Sequence, residues 1–523
     1  MTQRILAPRH LITEENSRWW TLGAMCFALF MIMLDNTVVN VALPSIQRDL
    51  HASLQALEWT MNAYTLTFAV LLVTGGRLGD IFGRRRMFIF GVVVFGLSSL
   101  LIGFSPNDTW LVAFRAVQGV GAAFMMPATL SIITQAFPAE QRGAAIGTWA
   151  GVSALALAIG PVVGGLLTED ASWRAIFFIN PPIAVGAVAV TLFAAGESRD
   201  ETVGRGVDYA GIATLTVGLT ALVLALVESN GWHWGSARIV GLFALTVVAL
   251  VAFVVIELHV RSPMLDFSFF RSRTTAGANV VAFLVTFAMF AQFFFLTLYM
   301  QNVLHYSPLQ TGVRFLPATV LIIVVSPLAG RLTDRVGPRP LMALGLVILG
   351  GALLIESQLT IHTVYGLLLP GFILLGMGIG LVMSPMSTAA MNAVDRSKSG
   401  AASGVVSMSR MVGGTVGLAV MGALVTTIGR SRLDSSLPEL PAAARAKLAS
   451  ALGSGGAPDG HASLHLVRAL HHAFVSALAA GLKVSAAAAF VGALLALWLI
   501  RPARKQLAET RPSEQRAPEA VTA

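Results

Sequence analysis

"GRLGDIFGRR" at 76–85 returns as "GRLTDRVGPR" at 330–339. Six of ten positions are identical: Gly76/Gly330, Arg77/Arg331, Leu78/Leu332, Asp80/Asp334, Gly83/Gly337 and Arg85/Arg339. The first copy joins the second and third long apolar runs, and the second copy joins the tenth and eleventh. Two plain six-helix halves would place the repeat between the eighth and ninth runs. Its displacement by two predicts a pair of helices inserted between related halves. Duplicated halves around a central site are a transporter architecture.

The apolar runs lie near 20–43, 57–78, 87–105, 110–134, 143–167, 175–196, 208–228, 237–257, 275–301, 311–332, 340–357, 363–386, 401–428 and 474–500. Each is long enough to span roughly 30 Å of hydrocarbon. The reading is an all-α integral membrane protein with 14 spans. Its parts are a tail 1–19, a first half 20–200, an inserted pair 201–260, a second half 261–500 with a long loop 429–473, and a tail 501–523. Composition agrees: 55% of the 523 residues are hydrophobic and only 12% are charged, about half the soluble norm of roughly 25%. The lone Cys26 leaves no intramolecular disulfide and reads as a packing residue. The first apolar run is too long for a cleaved leader and reads as a retained helix.

Lys and Arg settle the expected orientation. With the N-terminus inside, the inner loops and tails hold most of them, including Arg84, Arg85, Arg86, Arg261, Arg271, Arg273 and Arg335. The outer loops hold few, and most of those lie in 429–473. The positive-inside rule then puts both termini in the cytoplasm. The net charge of +9 is mainly topological, with lipid headgroups as secondary partners and no nucleic acid implied. In the long loop, His461 and His465 precede His471 and His472. No Cys or paired carboxylate supports a metal site there. Asn107-Asp108-Thr109 reads as a plain turn.

The chain has no Gly-Lys dipeptide and therefore no P-loop, and it lacks His-Glu-x-x-His and Gly-x-Ser-x-Gly. It is not expected to be an enzyme, and no cofactor is expected. Uphill work then draws on an ion gradient or on partners.

"FMIMLDNTVVNVALP" at 30–44 places Asp35 inside an apolar run. A charged aspartate at mid-membrane costs roughly 2.5–3.5 kcal/mol on insertion scales. If helix 1 ends at Pro44, Asp35 lies roughly 13 Å below that end, and Arg115 lies roughly 8 Å below the start of helix 4 at Trp110. The two charges fall at similar depth and can offset one another. Desolvation raises a carboxyl pKa and a nearby arginine lowers it, which is what proton coupling requires. The alternative is a structural ion pair. Asn36 and Asn40, at i and i+4, extend a polar stripe. In the repeated loop, Gly76 and Gly83 permit close approach and a tight turn. Asp80 is suited to cap a neighbouring helix N-terminus, and Arg84 and Arg85 anchor the loop, with Gly330, Asp334 and Gly337 as the second copy. This reads as a gate on the cytoplasmic side. In helix 5, Gly151 begins a run in which Gly160-Pro161 interrupts the ladder and Gly164-Gly165 allows close packing.

Together these residues resemble the major facilitator superfamily, and within it the fourteen-helix drug–proton antiporters. "LDNTVVNVALP" is similar to that family's helix 1 motif and "GRLGDIFGRRR" to the superfamily loop motif. "LVAFRAVQGVGAA", with Arg115, Gln118, Gly119 and Gly121, resembles the helix 4 motif implicated in proton transfer. Gly151 through Gly165 is similar to the antiporter signature. "SWRAIFFINPP" and "GAASGVVSMSRMVGGTVG" are also family-like. The resemblance implies a major facilitator fold of two six-helix halves plus two inserted helices. It implies a plasma-membrane exporter of hydrophobic or cationic drugs and antibiotics, exchanged for protons.

One departure stands out: helix 12, "GLLLPGFILLGMGIGLVMSP", has no arginine to match Arg115. Arg314 is expected to snorkel at the outer face. Arg410 lies deeper, divided between structure and substrate or proton handling. Glu228, Glu257 and Glu356 sit near helix ends and are expected to face water or headgroups, leaving no second acidic residue deep in a helix. The open alternatives are export of an endogenous lipid, siderophore or biosynthetic product, proton symport, and a membrane-embedded sensor.

Overall fold

The computed structural model describes residues 16–199, 208–229, 232–260, 263, 267, 271–392, 399–441, 445, 448 and 464–501. Within them the side chains of 73, 77, 80, 139–144, 146–147, 150, 154, 157–158, 334, 391–392, 399–403 and 464 are not described.

The described residues fold into helices in the order the apolar runs set. In the first half these are α1 (Ser17–Leu50), α2 (Leu54–Phe82), α3 (Arg84–Gly103), α4 (Asp108–Ala136), α5 (Ala139–Asp170) and α6 (Ala175–Ala194). The inserted pair is α7 (Tyr209–Glu228) and α8 (Ala237–His259). The second half holds α9 (Arg273–Val303), α10 (Pro308–Val336), α11 (Pro338–Glu356), α12 (Tyr365–Asn392), α13 (Ser399–Ser436) and α14 (Leu464–Leu499). Among the described residues, 12 helices are long and apolar enough to cross a membrane. Outside that 12, α2 and α5 are helices of 29 and 32 residues.

Local chemistry sets the ends. Ser53, Asn107, Ser236 and Ser272 each accept a backbone N–H at a helix start. Ser307 and Gln310 form a full capping box on α10. Asn107 is thus the cap of α4. Pro44 does not end α1, which continues to Leu50. The single backbone bond that a proline removes is tolerated where neighbouring helices pack around it. The expected loop 429–473 shrinks at both ends, because α13 runs to Ser436 and α14 starts at Leu464.

The repeat is structural as well as sequential. Gly83 (φ 114°) and Gly337 (φ 82°) both take left-handed backbone. Each donates its N–H to the helix it ends, to Gly79 O at 3.0 Å and to Thr333 O at 2.8 Å. A Cβ on Gly121 would lie 2.8 Å from Gly91 O, between α4 and α3. A Cβ on Gly378 would lie 2.8 Å from Gly345 O, between α12 and α11. Missing side chains therefore set the same helix crossing in both halves.

The inserted helices pack on each other, and α7 leans on α2 and α13. Apolar side chains fill that seam, among them Leu66, Val70, Leu219, Val223, Val405 and Ala419. The outer surface of α8 presents Val240, Leu245, Val247, Val248 and Val251, as a lipid-facing helix does.

Candidate functional site

Asp35 on α1 and Arg115 on α4 meet in the first half. Arg115 Nη1 lies 2.5 Å from Asp35 Oδ2, and both side chains are buried. Gln118, one turn along α4, donates from Nε2 to Asp35 Oδ1 at 3.0 Å and accepts from Arg115 Nη1 at 2.6 Å. Arg115 Nε donates to the Thr60 carbonyl of α2 at 3.0 Å. The guanidinium carbon sits 4.2 Å from the centre of the Tyr64 ring. Arg115 Nη2 has no partner among the described residues.

Each part has a physical reason. Gly119 lets α4 press on the Tyr64–Phe68 backbone of α2, which brings Thr60 O and Tyr64 within reach of Arg115. An arginine fully out of water needs donors matched and its charge offset. The carboxylate, two further acceptors and an aromatic face supply most of that. Because α1 projects past Pro44 to Leu50, Asp35 lies a turn or two further from its helix end than expected, yet the two side chains meet.

Asn36 and Asn40 are buried beside this network. Each amide turns back on its own helix, Asn36 Nδ2 to Ile32 O at 2.8 Å and Asn40 Nδ2 to Asn36 O at 3.0 Å. Their Oδ1 atoms are left without partners among the described residues. The stripe therefore offers free acceptors. Arg410 lies elsewhere, on α13, and its Nε meets no described partner. Arg314 stacks on Tyr306 at 3.8 Å, with Tyr365 at 5.4 Å. It is held by aromatic faces as well as reaching along its own helix.

The helix 5 motif is a packing surface for two partners. A Cβ on Gly160 would lie 2.8 Å from Thr37 Cβ, and one on Gly164 2.9 Å from Val38 O, both on α1. A Cβ on Gly165 would lie 2.6 Å from Leu309 Cα, on α10 of the other half. Gly312 of α10 in turn packs on the buried Pro161. Gly151 faces open space.

The gate motif packs within its own half. A Cβ on Gly76 would lie 3.4 Å from Pro127 Cβ of α4, and one on Gly330 2.7 Å from Ser384 Oγ of α12. Arg84 N donates to Ser198 O at 3.0 Å. Arg85 reaches Ala195 O at 2.9 Å, and its N–H meets Glu197 Oε1 at 3.1 Å. The side chains of Asp80 and Asp334 lie outside the described atoms.

Hydrogen bonds that join the halves run from mid-bundle to the face opposite this basic loop. Thr415 donates to Thr65 at 2.9 Å, Gln301 Nε2 to Val41 O at 2.8 Å, and Leu309 N to Glu169 Oε2 at 3.1 Å.

The acidic residues depart from expectation. Glu257 and Glu356 are buried at helix ends, at 4% and 1% exposure, so they do not face water. A helix end fixes depth along the bundle but not which neighbour covers the side chain. Glu58 was missed altogether. It is 3% exposed on α2 and lies against Gly422 of α13. Its cue was Ser53, a cap that starts α2 before the apolar run and carries Glu58 inside.

Comparison with known proteins bears on the family and the fold. Residues 25–418 match the Major Facilitator Superfamily. A tetracenomycin C resistance and export protein of Streptomyces glaucescens is 34% identical over 495 residues, covering 92% of this chain and 91% of that protein. A puromycin resistance protein of Streptomyces alboniger is 42% identical, covering 78% and 82%. A multidrug transporter protein of Bacillus subtilis is 30% identical, covering 81% and 78%. Among solved structures, a bacterial homologue of the human lysosomal transporter Spinster, inward-facing and unoccupied, superposes with a TM-score of 0.64. The identity is 15%, with 93% of this chain and 98% of that one covered.

Proposed function

The chain belongs to the Major Facilitator Superfamily, and on that premise we propose that it is a proton-driven drug exporter working by alternating access. It is a multi-pass membrane transporter rather than an enzyme, and its substrates are small molecules. Its relatives are resistance and export proteins, which supports efflux of antibiotics or related hydrophobic compounds, cationic ones included.

The observation that carries proton coupling is the buried Asp35–Arg115–Gln118 network. With no P-loop in the chain, its energy comes from a gradient. A carboxylate offset by one arginine is poised between two states: ionised while Arg115 holds it, and protonated when that contact loosens or water leaves.

We place the chain in the plasma membrane with fourteen spans, α2 and α5 included, and with both termini and the Arg84–Arg86 loop in the cytoplasm. In that orientation the hydrogen bonds that join the halves among the described residues run from mid-membrane to the outer side, supporting a state closed on that side. The Gly76 and Gly330 loops then act at the inner face. Asp80 and Asp334 act there as the carboxylates that cap a helix when that side closes. Asn36, Asn40, Gln118 and Arg410 line or border the pathway for substrate and protons.

The test is export from cells whose ATP is clamped. A protonophore is expected to collapse uphill export of a fluorescent cationic dye. Uphill export that persists without the gradient overturns the proton-driven reading.

A further inference from the structure

The second half holds its own buried carboxylate. Glu356, the last residue of α11, is 1% exposed, and Gln292 of α9 is fully buried against it. Gln292 Nε2 donates to Glu356 Oε1 at 3.4 Å. The remaining two atoms of the pair, Glu356 Oε2 and Gln292 Oε1, are both buried without partners among the described residues. Gly371 of α12 closes the third side, where a Cβ would lie 2.7 Å from Glu356 Cγ. Among the described residues, Gln292 is the one side chain hydrogen-bonded to this carboxyl.

The contrast with the first half is direct. There a carboxylate and an amide, Asp35 and Gln118, share Arg115. The paired "GVG" at 119–121 and "GMG" at 376–378 bring Phe372 to the place of Arg115, four residues ahead of the first glycine. The cation is missing. An ionised carboxylate with no cation, deep in apolar surroundings, does not persist. An ionised Glu356 also leaves two buried acceptors, its own Oε2 and Gln292 Oε1, with no donor for either among the described residues.

We infer that Glu356 and Gln292 form a proton-binding site of the second half, occupied by one proton in this conformation. The proton sits on Glu356 Oε2 and is donated to Gln292 Oε1, while Gln292 Nε2 donates to Glu356 Oε1. One proton thus satisfies both orphaned atoms and closes an acid–amide ring of two hydrogen bonds. It does in this half what Arg115 does in the other. The ring presents a neutral face, so Glu356 does not attract cationic substrates. The site goes beyond the export reading, and its test takes nothing from transport.

The test is infrared spectroscopy of the full-length protein in liposomes at neutral pH. Wild type is expected to show a protonated carboxylic C=O stretch that Glu356→Gln removes. The variant is expected to fold, because its amide donates to Gln292 Oε1 in place of the acid. Gln292→Met keeps the acid but removes both arms of the ring, and is expected to move that stretch to higher frequency. Ionised carboxylate stretches in the wild-type-minus-Glu356→Gln difference overturn the site. So does a C=O band that ignores Gln292→Met, a reading that does not require Glu356→Gln to fold.

Discussion

Arg115 Nη1 and Asp35 Oδ2 stand 2.5 Å apart with neither side chain reached by solvent. A pair this deep is weak evidence of net stabilisation, because desolvating two ions costs about as much as their attraction returns. Its geometry is better suited to control. Arg115 also donates to Thr60 O and stacks on Tyr64, so α1, α2 and α4 share one charge.

Arg115→Lys tests whether that sharing matters. An ammonium keeps the charge but lacks the planar fork and the ring contact. The variant is expected to keep the Asp35 pair while losing the Thr60 and Tyr64 contacts, with transport falling by at least an order of magnitude. Arg115→Ala leaves Asp35 unpaired and is expected to cost about 3–5 kcal/mol. Thermal stability in detergent separates the two, and wild-type transport by the lysine variant shows that a point charge suffices.

Gly83 and Gly337 hold φ values of 114° and 82°, where a side chain is strained by about 1–3 kcal/mol. A Cβ on Gly83 would also lie 2.6 Å from Glu197 Oε1. Gly83→Ala and Gly337→Ala are each expected to lower the melting temperature through the strain at φ. A paired melting experiment checks this, and an unchanged melting temperature in either variant overturns it.

Helix order was legible because a membrane span must be long and apolar, and the loop motif marked the duplication. The Asp35–Arg115 pair was legible because a buried charge demands an opposite one at its own depth. Thr60 and Tyr64 were not. Their role depends on Gly119 pressing α4 onto α2, a helix-to-helix register that no local pattern encodes. Glu356 was misplaced because position along a helix does not reveal its covered face. The helix 5 glycines were read as a kink, and the structure adds that their faces pack on both α1 and α10.

The seam between Gly165, Pro161 and Gly312 offers a second handle. Gly165→Ala brings a Cβ to 2.6 Å from Leu309 Cα, and overpacking of this kind typically costs about 1–3 kcal/mol. The cost falls only on the state in which α5 and α10 are pressed together. The expected result is a shift toward the opposite state by about 5- to 150-fold. Labelling of a single cysteine placed beside Leu309 reads it from outside intact cells. Unchanged labelling means that the seam does not separate during the cycle.

Asp35→Asn is the sharpest test of coupling. Asparagine keeps the size of the side chain and one acceptor for Arg115, so the Thr60, Gln118 and Tyr64 contacts can persist. What it loses is the ability to gain and release a proton. The fold and downhill substrate movement are expected to survive, with uphill export and substrate-coupled proton flux abolished. Proton flux is measured in liposomes holding equal amounts of folded wild type or variant, with substrate added on one side. If the variant still exchanges protons for substrate at the wild-type ratio, coupling lies elsewhere. Glu58, buried at the seam of α2 and α13, is then the next carboxyl to neutralise.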